Sequence, residues 1–152
     1  MARRTRRHLR GGRVVDLAGG HGLLAQVMLL LDDSSPSALV VDRVVPPSAR
    51  ALHTALVETW PRLQGRVTWM CTDLGAVTLD PADVVVASHA CGALTDAVLD
   101  RAIAARARVA VLGASDGACV HEGDAVDHAR RTLGVDTDTP LLAIGFSRGA
   151  QT

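Results

Sequence analysis

The sequence is very poor in aromatic residues. Among its 152 residues it has one phenylalanine, two tryptophans and no tyrosine, although 48% of the residues are hydrophobic. The core must therefore consist mainly of valine, leucine and alanine side chains. A chain of this length forms one domain with a substantial core, but it is short for a complete enzyme of the class considered below.

Lysine is absent, so all sixteen basic residues are arginines, and sixteen acidic residues balance them. Exclusive use of arginine is typical of a GC-rich coding sequence. The charge is unevenly placed, because residues 1–12 are strongly basic. We predict that they form an N-terminal arm, which is either a solvated, disordered leader or a segment that grips RNA phosphates. No apolar core follows this arm, so it does not resemble a secretory signal.

The three cysteines are odd in number, lie far apart and form no C-x-x-C pair. This spacing argues against a disulfide framework and against a structural zinc site, so we predict no metal centre. Reduced thiols fit a bacterial type of cytoplasm. The apolar run Leu23–Leu31 is too short to span a bilayer, and we predict a cytoplasmic protein without a membrane segment.

Residues 13–22 read R-V-V-D-L-A-G-G-H-G, and the apolar run Leu23–Leu31 follows them directly. The valines favour a strand, the glycines a sharp turn, and the apolar run a helix. A strand, a glycine-rich turn and a helix in this order open a nucleotide-binding βαβ unit. A tight turn without any ligand is the structural alternative.

Two classes of ligand compete for this turn. Residues 20–25 fit the G-x-G-x-x-A form of the dinucleotide motif, which indicates NAD. However, Asp16 precedes the glycines at the end of the strand, and a carboxylate there repels a pyrophosphate. It suits instead a ligand with a cationic end, such as the amino acid part of S-adenosylmethionine.

At this point the sequence resembles the class I S-adenosylmethionine-dependent methyltransferases. Their first motif is apolar-apolar-Asp/Glu-x-Gly-x-Gly-x-Gly, with Ala18 here in place of the first glycine. The resemblance implies S-adenosylmethionine as cofactor. It implies cofactor contacts from the residues of this motif, which are Asp16, Leu17, Ala18, Gly19, Gly20 and Gly22.

Further cofactor contacts are expected where the next two strands end. A strand over residues 38–41 ends at Asp42 and Arg43, and Asp42 stands where a ribose-binding carboxylate belongs. The alternative role of Asp42 is to cap the helix predicted over residues 46–60. A third strand over residues 66–71 precedes Asp73 and Leu74, and a polar group there can recognise the adenine amino group.

The second informative motif follows a fourth strand, predicted over residues 83–87, and Ser88, which we expect to contact the cofactor. Residues 89–96 read H-A-C-G-A-L-T-D. They resemble the H-x-C-G-x-x-T-D segment of the subgroup that includes the transfer-RNA 2′-O-methyltransferases of the Trm13 type. An oxygen nucleophile would benefit from a general base, and His89 is the best candidate because the unperturbed pKa of histidine lies near neutrality, with Asp96 as its orienting partner. An ordinary strand-to-helix turn is the structural alternative.

The predicted fold is α/β and Rossmann-like, with a doubly wound, mostly parallel sheet of about six strands and helices on both faces. Residues 13–152 form this domain, and the resemblance is strongest over residues 13–112. We predict a helix over residues 94–105, a fifth strand over 107–112, a helix over 121–133 and a last strand over 141–146. The seventh, antiparallel strand of the methyltransferase class is not recognisable, which suggests a shortened core or half of a site in a homo-oligomer.

The function predicted from these motifs is methyl transfer from S-adenosylmethionine to an unknown acceptor, either an RNA hydroxyl or a protein side chain. Residues 113–116 read G-A-S-D where the subgroup has a Pro-Cys-Cys-His cluster. The alternative is therefore a non-catalytic module that binds the cofactor or a partner. A third hypothesis, a nicotinamide-dependent oxidoreductase, rests on residues 20–25 alone. Residues 145–149 fit G-x-S-x-G, but the acid and histidine that a hydrolase needs after it are missing.

Overall fold

The computed structural model describes residues 1–88, 90, 93–114 and 141–146, with the backbone alone for 112–114 and 141–146. Six strands in these residues form one parallel sheet in the order β3-β2-β1-β4-β5-β6. The predicted Rossmann-like fold is thereby confirmed. The strands are β1 (Val14–Leu17), β2 (Ala38–Asp42), β3 (Val67–Cys71), β4 (Val84–Ser88), β5 (Arg108–Ala114) and β6 (Leu141–Phe146).

Four α-helices accompany the sheet within the described residues. They are α1 (Ala2–His8), α2 (Leu23–Leu31), α3 (Ser48–Thr59) and α4 (Ala93–Ala104). None of the helices described is long and apolar enough to cross a membrane. The helix predicted over residues 121–133, and residues 147–149 of the G-x-S-x-G match, lie outside the described residues.

The core is aliphatic and has two layers, because side chains on successive strand residues point to opposite faces of the sheet. On β1, Val14 packs with Met28 and Leu29 of α2, whereas Val15 and Leu17 pack on the α4 side. Since both faces of the sheet are covered, its strands are almost continuously apolar. This arrangement leaves the strand ends as the place for polar chemistry.

The first residues differ from the solvated arm that the sequence suggested. They form α1, in which Thr5 and Arg6 are buried. The Arg6 guanidinium lies 3.4 Å from an Asp32 carboxylate oxygen, and its Nε donates to the Met28 carbonyl at 3.1 Å. The helix forms here because its one inward-facing arginine finds an acid and carbonyls at the end of α2.

The strand order determines where a ligand can bind. The chain runs from β1 outward through β2 to β3 and then crosses back to β4, which pairs with the other edge of β1. The connections therefore diverge at the carboxyl ends of β1 and β4, and such a switch point is where open α/β sheets bind ligands. β6 pairs directly with β5, and the described residues contain no antiparallel strand.

Candidate functional site

Two cavities open at the carboxyl ends of the strands, and Ala18 lines both of them. The first, which we name the Asp42 cavity, has a volume of about 400 Å³. Its lining consists of Ala18, Val41, Asp42, Arg43, Thr72, Asp73, Leu74, Ala93, Leu94 and Ala97.

The second, the α1 cavity, has a volume of about 600 Å³ and lies on the other side of the glycine turn. Its lining consists of Met1, Ala2, Ala18, Gly19, Gly20, His21, Leu23, Leu24, Val27, Leu52 and Ser88. Eight of the predicted cofactor contacts therefore border one of the two cavities: Ala18, Gly19, Gly20, Asp42, Arg43, Asp73, Leu74 and Ser88.

The glycines of the turn have different roles. A Cβ on Gly19 would lie 2.7 Å from the Asp16 Cγ, and one on Gly22 would lie 2.7 Å from a methyl carbon of Val40. These two glycines allow the turn to pack against the sheet. A Cβ on Gly20 would meet only the Asp42 carboxylate, at 3.9 Å, so this glycine faces open space toward the cavities.

The backbone amides of all three glycines are already used inside the protein. The Gly19 N–H donates to the Val41 carbonyl at 3.1 Å, and the Gly22 N–H donates to the Gly19 carbonyl at 2.8 Å. The Gly20 N–H donates to Asp42 Oδ2 at 2.9 Å. A pyrophosphate, which normally binds to free amides at such a turn, finds none of these three available.

Asp16 lines neither ligand cavity, so its predicted contact with the cofactor stays a prediction. It is completely buried on the α2 side of the sheet, and its Oδ2 accepts a hydrogen bond from the Ala25 N–H at 3.2 Å. Its Oδ1 has no hydrogen-bond partner among the described residues. Burial raises the pKa of Asp16 to about 7; the Ala25 hydrogen bond opposes this rise and the charge of Asp42 adds to it. Asp16 thus holds the first turn of α2 against β1.

Leu17 and Gly22 also lie outside the lining of both cavities, and their predicted cofactor contacts stay predictions. Leu17 is fully buried in the core layer on the α4 side, because strand alternation directs it there. Gly22 has a φ of +70° and forms the N-cap of α2. Both residues shape the turn from behind and do not border the space in front of it.

Asp42 is the carboxylate that borders a cavity. It is half-buried at the end of β2, where Oδ2 accepts from the Gly20 N–H and Oδ1 accepts from the Val44 N–H at 3.3 Å. Each carboxylate oxygen can accept more than one hydrogen bond. Asp42 is therefore held in place by the backbone while it retains capacity for two hydroxyl groups of a ligand.

Asp73 and Arg43 form an exposed ion pair at the edge of the Asp42 cavity. Arg43 Nε donates to Asp73 Oδ2 at 2.9 Å, and the Gly75 N–H donates to Oδ1 at 2.8 Å. The Gly75 hydrogen bond and the Arg43 guanidinium lower the pKa of Asp73. Both oxygens thus already have partners, while the neighbouring Leu74 adds apolar lining to the cavity.

Of the predicted catalytic pair, the structure describes Asp96 but not His89. His89, Cys91 and Gly92 lie outside the described residues, so the role of His89 stays a prediction. Asp96 is exposed in the first turn of α4 and lines neither cavity. Ser88, at the end of β4, is half-buried and lines the α1 cavity.

Sequence reasoning missed His21 and the apolar lining of the α1 cavity. His21 is exposed in the glycine turn, and its Nε2 lies 2.8 Å from the Ser48 Oγ at the start of α3. Its position between Gly20 and Gly22 was a signal that the residue faces the ligand side. Leu23 and Val27, four residues apart, marked one face of α2 near the turn.

Trp69 supports the turn from the α3 side. A Cβ on Gly22 would lie 3.2 Å from its indole Nε1, so the ring packs against bare backbone. The ring of His53 meets Trp69 edge-on with 5.1 Å between centroids, and His53 Nδ1 lies 2.8 Å from the Gln26 Oε1. The buried Gln26 amide in turn donates to the Gly22 carbonyl at 3.2 Å.

No protein-family model and no curated protein matches the chain. Solved structures do match its fold. The S-adenosylmethionine-dependent methyltransferase SibL is 22% identical, with a TM-score of 0.51. The matched region covers 79% of this chain and 37% of SibL. The mitomycin 7-O-methyltransferase MmcR is 22% identical, with a TM-score of 0.53. The matched region covers 78% of this chain and 36% of MmcR. Pen from Bacillus thuringiensis is 14% identical, with a TM-score of 0.51. The matched region covers 94% of this chain and 54% of Pen.

The chain spans little more than a third of the length of SibL and MmcR. At these identities the likeness concerns the fold. The described part of the chain therefore has the Rossmann-like fold that SibL and MmcR, two methyltransferases, also have.

Proposed function

We propose that the chain binds S-adenosylmethionine and transfers its methyl group to an acceptor. The main support for this proposal is that backbone amides around the turn donate hydrogen bonds to carboxylates of the protein itself. The Gly20 N–H donates to Asp42 and the Ala25 N–H donates to Asp16. Two carboxylates therefore occupy backbone donors at the turn, and the charge of Asp42, which borders a cavity, opposes a pyrophosphate further. A ligand with a sulfonium and an ammonium group has the complementary charge.

The other features of the site fit the same cofactor. Asp42 can accept hydrogen bonds from both ribose hydroxyls, because the backbone already fixes its carboxylate. The Asp42 cavity has the apolar side chains of Val41, Leu74 and Leu94 in its lining, which suits a planar base. Gly20 leaves free the space that a side chain would fill. SibL and MmcR, which have the same fold, are methyltransferases, and this agrees with the proposal.

When bound, S-adenosylmethionine supplies an electrophilic methyl group: an acceptor lone pair forms the new bond, the carbon–sulfur pair remains on sulfur, and a hydroxyl acceptor releases its proton. The chain would contribute mainly alignment of the two reactants, which accounts for much of the rate in such reactions. We propose His89 as the base that takes the proton. His89→Ala should then lower turnover by about 10²–10⁴-fold at nearly unchanged cofactor affinity.

Calorimetry on one sample distinguishes the two cofactor classes. We expect S-adenosylmethionine and S-adenosylhomocysteine to bind and NAD to give no heat of binding. Tight NAD binding with no response to S-adenosylhomocysteine would overturn the proposal. Binding of S-adenosylhomocysteine without transfer to any acceptor would favour the non-catalytic module.

Gly20→Val tests whether the ligand lies on the turn. The valine would project into the open space in front of Gly20, so we expect binding of S-adenosylhomocysteine to be lost. Gly65→Val is the matched control, because Gly65 also has a positive φ (+70° against +51°) and open space around its Cβ. Both variants should lose roughly 1–3 kcal/mol of stability through backbone strain. If Gly20→Val bound S-adenosylhomocysteine as tightly as Gly65→Val, the turn would not be the site.

A further inference from the structure

We infer that the α1 cavity takes an uncharged, largely apolar small molecule as the methyl acceptor, and not a nucleic acid or a charged peptide. The inference rests on the proposed function, since it assigns the acceptor of that same site. Ala18 borders both cavities, and Gly19, Gly20 and Ser88 place the α1 cavity on the far side of the turn from Asp42. A cofactor that crosses the turn would thus present its reactive end to this cavity.

The lining of the α1 cavity is apolar apart from His21 and Ser88. Leu23, Leu24 and Val27 come from α2, Leu52 comes from α3, and the first residues of α1 complete it. None of the described residues in this lining is an aspartate, a glutamate or an arginine. A charged acceptor would lose hydration on entering, and no carboxylate or guanidinium side chain of the lining would compensate for that loss.

Leu23 is the clearest sign of a missing contact. Leu23 is 50% exposed and lines the α1 cavity directly after the glycine turn. A volume of about 600 Å³ lies within the range of small-molecule sites. An apolar ligand in this space would cover Leu23 together with Leu24 and Val27, which are already partly buried.

The arginines of α1 do not alter this conclusion. Ala2 of α1 and the preceding Met1 belong to the lining, whereas Arg6 is directed inward, where it pairs with Asp32 and donates to the Met28 carbonyl. Arg3 and Arg7 are exposed and are not part of the lining. A phosphate backbone on these side chains would therefore contact the outer face of α1 and not the cavity itself.

Two polar groups can orient a hydroxyl of the acceptor. The Ser88 side chain lies at the end of β4, and the His21 imidazole is held by its contact of 2.8 Å with Ser48. A few polar groups in an apolar cavity are the usual means of fixing a small ligand in one orientation. The expected acceptor is thus a hydrophobic molecule that carries one hydroxyl, such as a bicyclic phenol.

Two variants of α2 test this inference. The probes are 2-naphthol and 7-hydroxycoumarin, titrated by fluorescence into the full chain with and without S-adenosylhomocysteine, and a 20-nucleotide single-stranded RNA serves as the competing acceptor. Leu23→Gln removes an apolar contact at the cavity. Leu31→Gln is the matched control, because Leu31 is 39% exposed on the same helix but does not line the cavity. Both leucines are exposed enough for the variants to fold, which circular dichroism verifies.

We expect at least one phenol to bind, Leu23→Gln to weaken its binding about three- to tenfold, and Leu31→Gln to leave it unchanged. Failure of both phenols to bind, equal effects of the two variants, or displacement of the phenol by RNA would overturn the inference. Binding of S-adenosylhomocysteine, measured in its own titration, distinguishes failure of this inference from failure of the proposed function. S-adenosylhomocysteine binding without phenol binding leaves the proposed function standing, whereas phenol binding sensitive to Leu23 without cofactor binding rejects the proposed function and retains the apolar site.

Discussion

Asp16 and Asp42 lie on either side of the glycine turn, and each accepts a hydrogen bond from a backbone amide that follows β1. Their surroundings differ. Asp42 borders a cavity, whereas Asp16 is completely buried, and burial raises its pKa to about 7. Near neutral pH the turn therefore rests on a carboxyl group that is partly protonated.

Replacement of Asp16 by asparagine should change how stability depends on pH. The pKa is raised in the folded protein from an ordinary value of 3.8 to about 7. Between these values the unfolded chain releases the proton and the folded protein keeps it. The contribution of Asp16 to the free energy of unfolding should thus fall by up to about 1.4 kcal/mol per pH unit as pH rises from 4 to 7, and remain level above 7. Asp16→Asn lacks this contribution, so its stability relative to the wild type should rise over that interval.

Urea denaturation at half-unit steps between pH 4 and pH 8 measures this difference. Asp100→Asn is a suitable control, because Asp100 is exposed on α4. Its stability curve should run parallel to that of the wild type. A parallel curve for Asp16→Asn as well would mean that the Asp16 carboxyl titrates normally in the folded protein.

The residues of the turn show what the sequence can predict at this scale. The position of Asp16 before the glycines led to the prediction of a cofactor contact, whereas in the structure its carboxylate is buried and accepts from the Ala25 N–H. Its direction could not be derived, because one residue decides which face of a strand a side chain occupies. Asp42 is the last residue of β2, where side chains border the cleft, and so its place at a cavity was predictable.

Among the elements, α1 is the one that composition misrepresents. A run of arginines predicts a solvated segment, yet Thr5, Arg6 and Leu9 are buried and α1 packs on α2. By contrast, the apolar runs of β1, β2 and β4 and the periodicity of α3 gave strands and a helix close to those observed. The docking of α1 depends on Asp32, twenty-six residues after Arg6 in the printed sequence, and no local pattern connects the two.

Arg6→Ala should release α1 from α2. It removes the hydrogen bond to the Met28 carbonyl and leaves the buried Asp32 without its cationic partner, with Ser34 still bonded to its carboxylate. Loss of one member of a buried pair is strongly destabilising. Because a terminal helix can detach by itself, we expect local opening ahead of global unfolding. Amide hydrogen exchange at Thr5 and Leu9 should become at least tenfold faster, which corresponds to about 1.4 kcal/mol.

Arg7→Ala provides the comparison within the same helix, since Arg7 is exposed and adjacent in sequence. Its effect on exchange should be below about threefold, because exposed charges contribute little to stability. If both substitutions had the same effect, the Arg6–Asp32 pair would not be what holds α1.

Across the whole molecule, arginines connect distant segments through backbone carbonyls. The Arg108 guanidinium, at the start of β5, donates to the carbonyls of Arg10, Gly11 and Ala82. Arg66 similarly donates to the carbonyls of Ser35 and Pro36. A guanidinium has five donors in a fixed plane and can bridge several carbonyls at once, which an ammonium does less well. Arginine therefore has a structural role at these two positions that lysine would fill less well, whatever the origin of the arginine bias in codon usage.

Arg108→Lys tests this use of arginine. One ammonium cannot reach all three carbonyls in the same geometry, so we expect a loss of about 1–2 kcal/mol in the free energy of unfolding. Arg50→Lys, at an exposed position on α3, should change it by less than about 0.5 kcal/mol. Urea denaturation of the two variants and the wild type measures both values. A neutral Arg108→Lys would indicate that charge alone is sufficient at this position.

The packing of Trp69 against Gly22 gives the protein an internal optical reporter. Trp69 contacts the turn that carries the candidate site, while the second tryptophan, Trp60, is 44% exposed and lies at the end of α3. With no tyrosine in the chain, ultraviolet emission comes almost entirely from these two indoles. Replacing Trp60 by phenylalanine would leave a single emitter beside the turn. Unlabelled protein could then signal occupancy of the site through a change in the intensity or wavelength of its own emission.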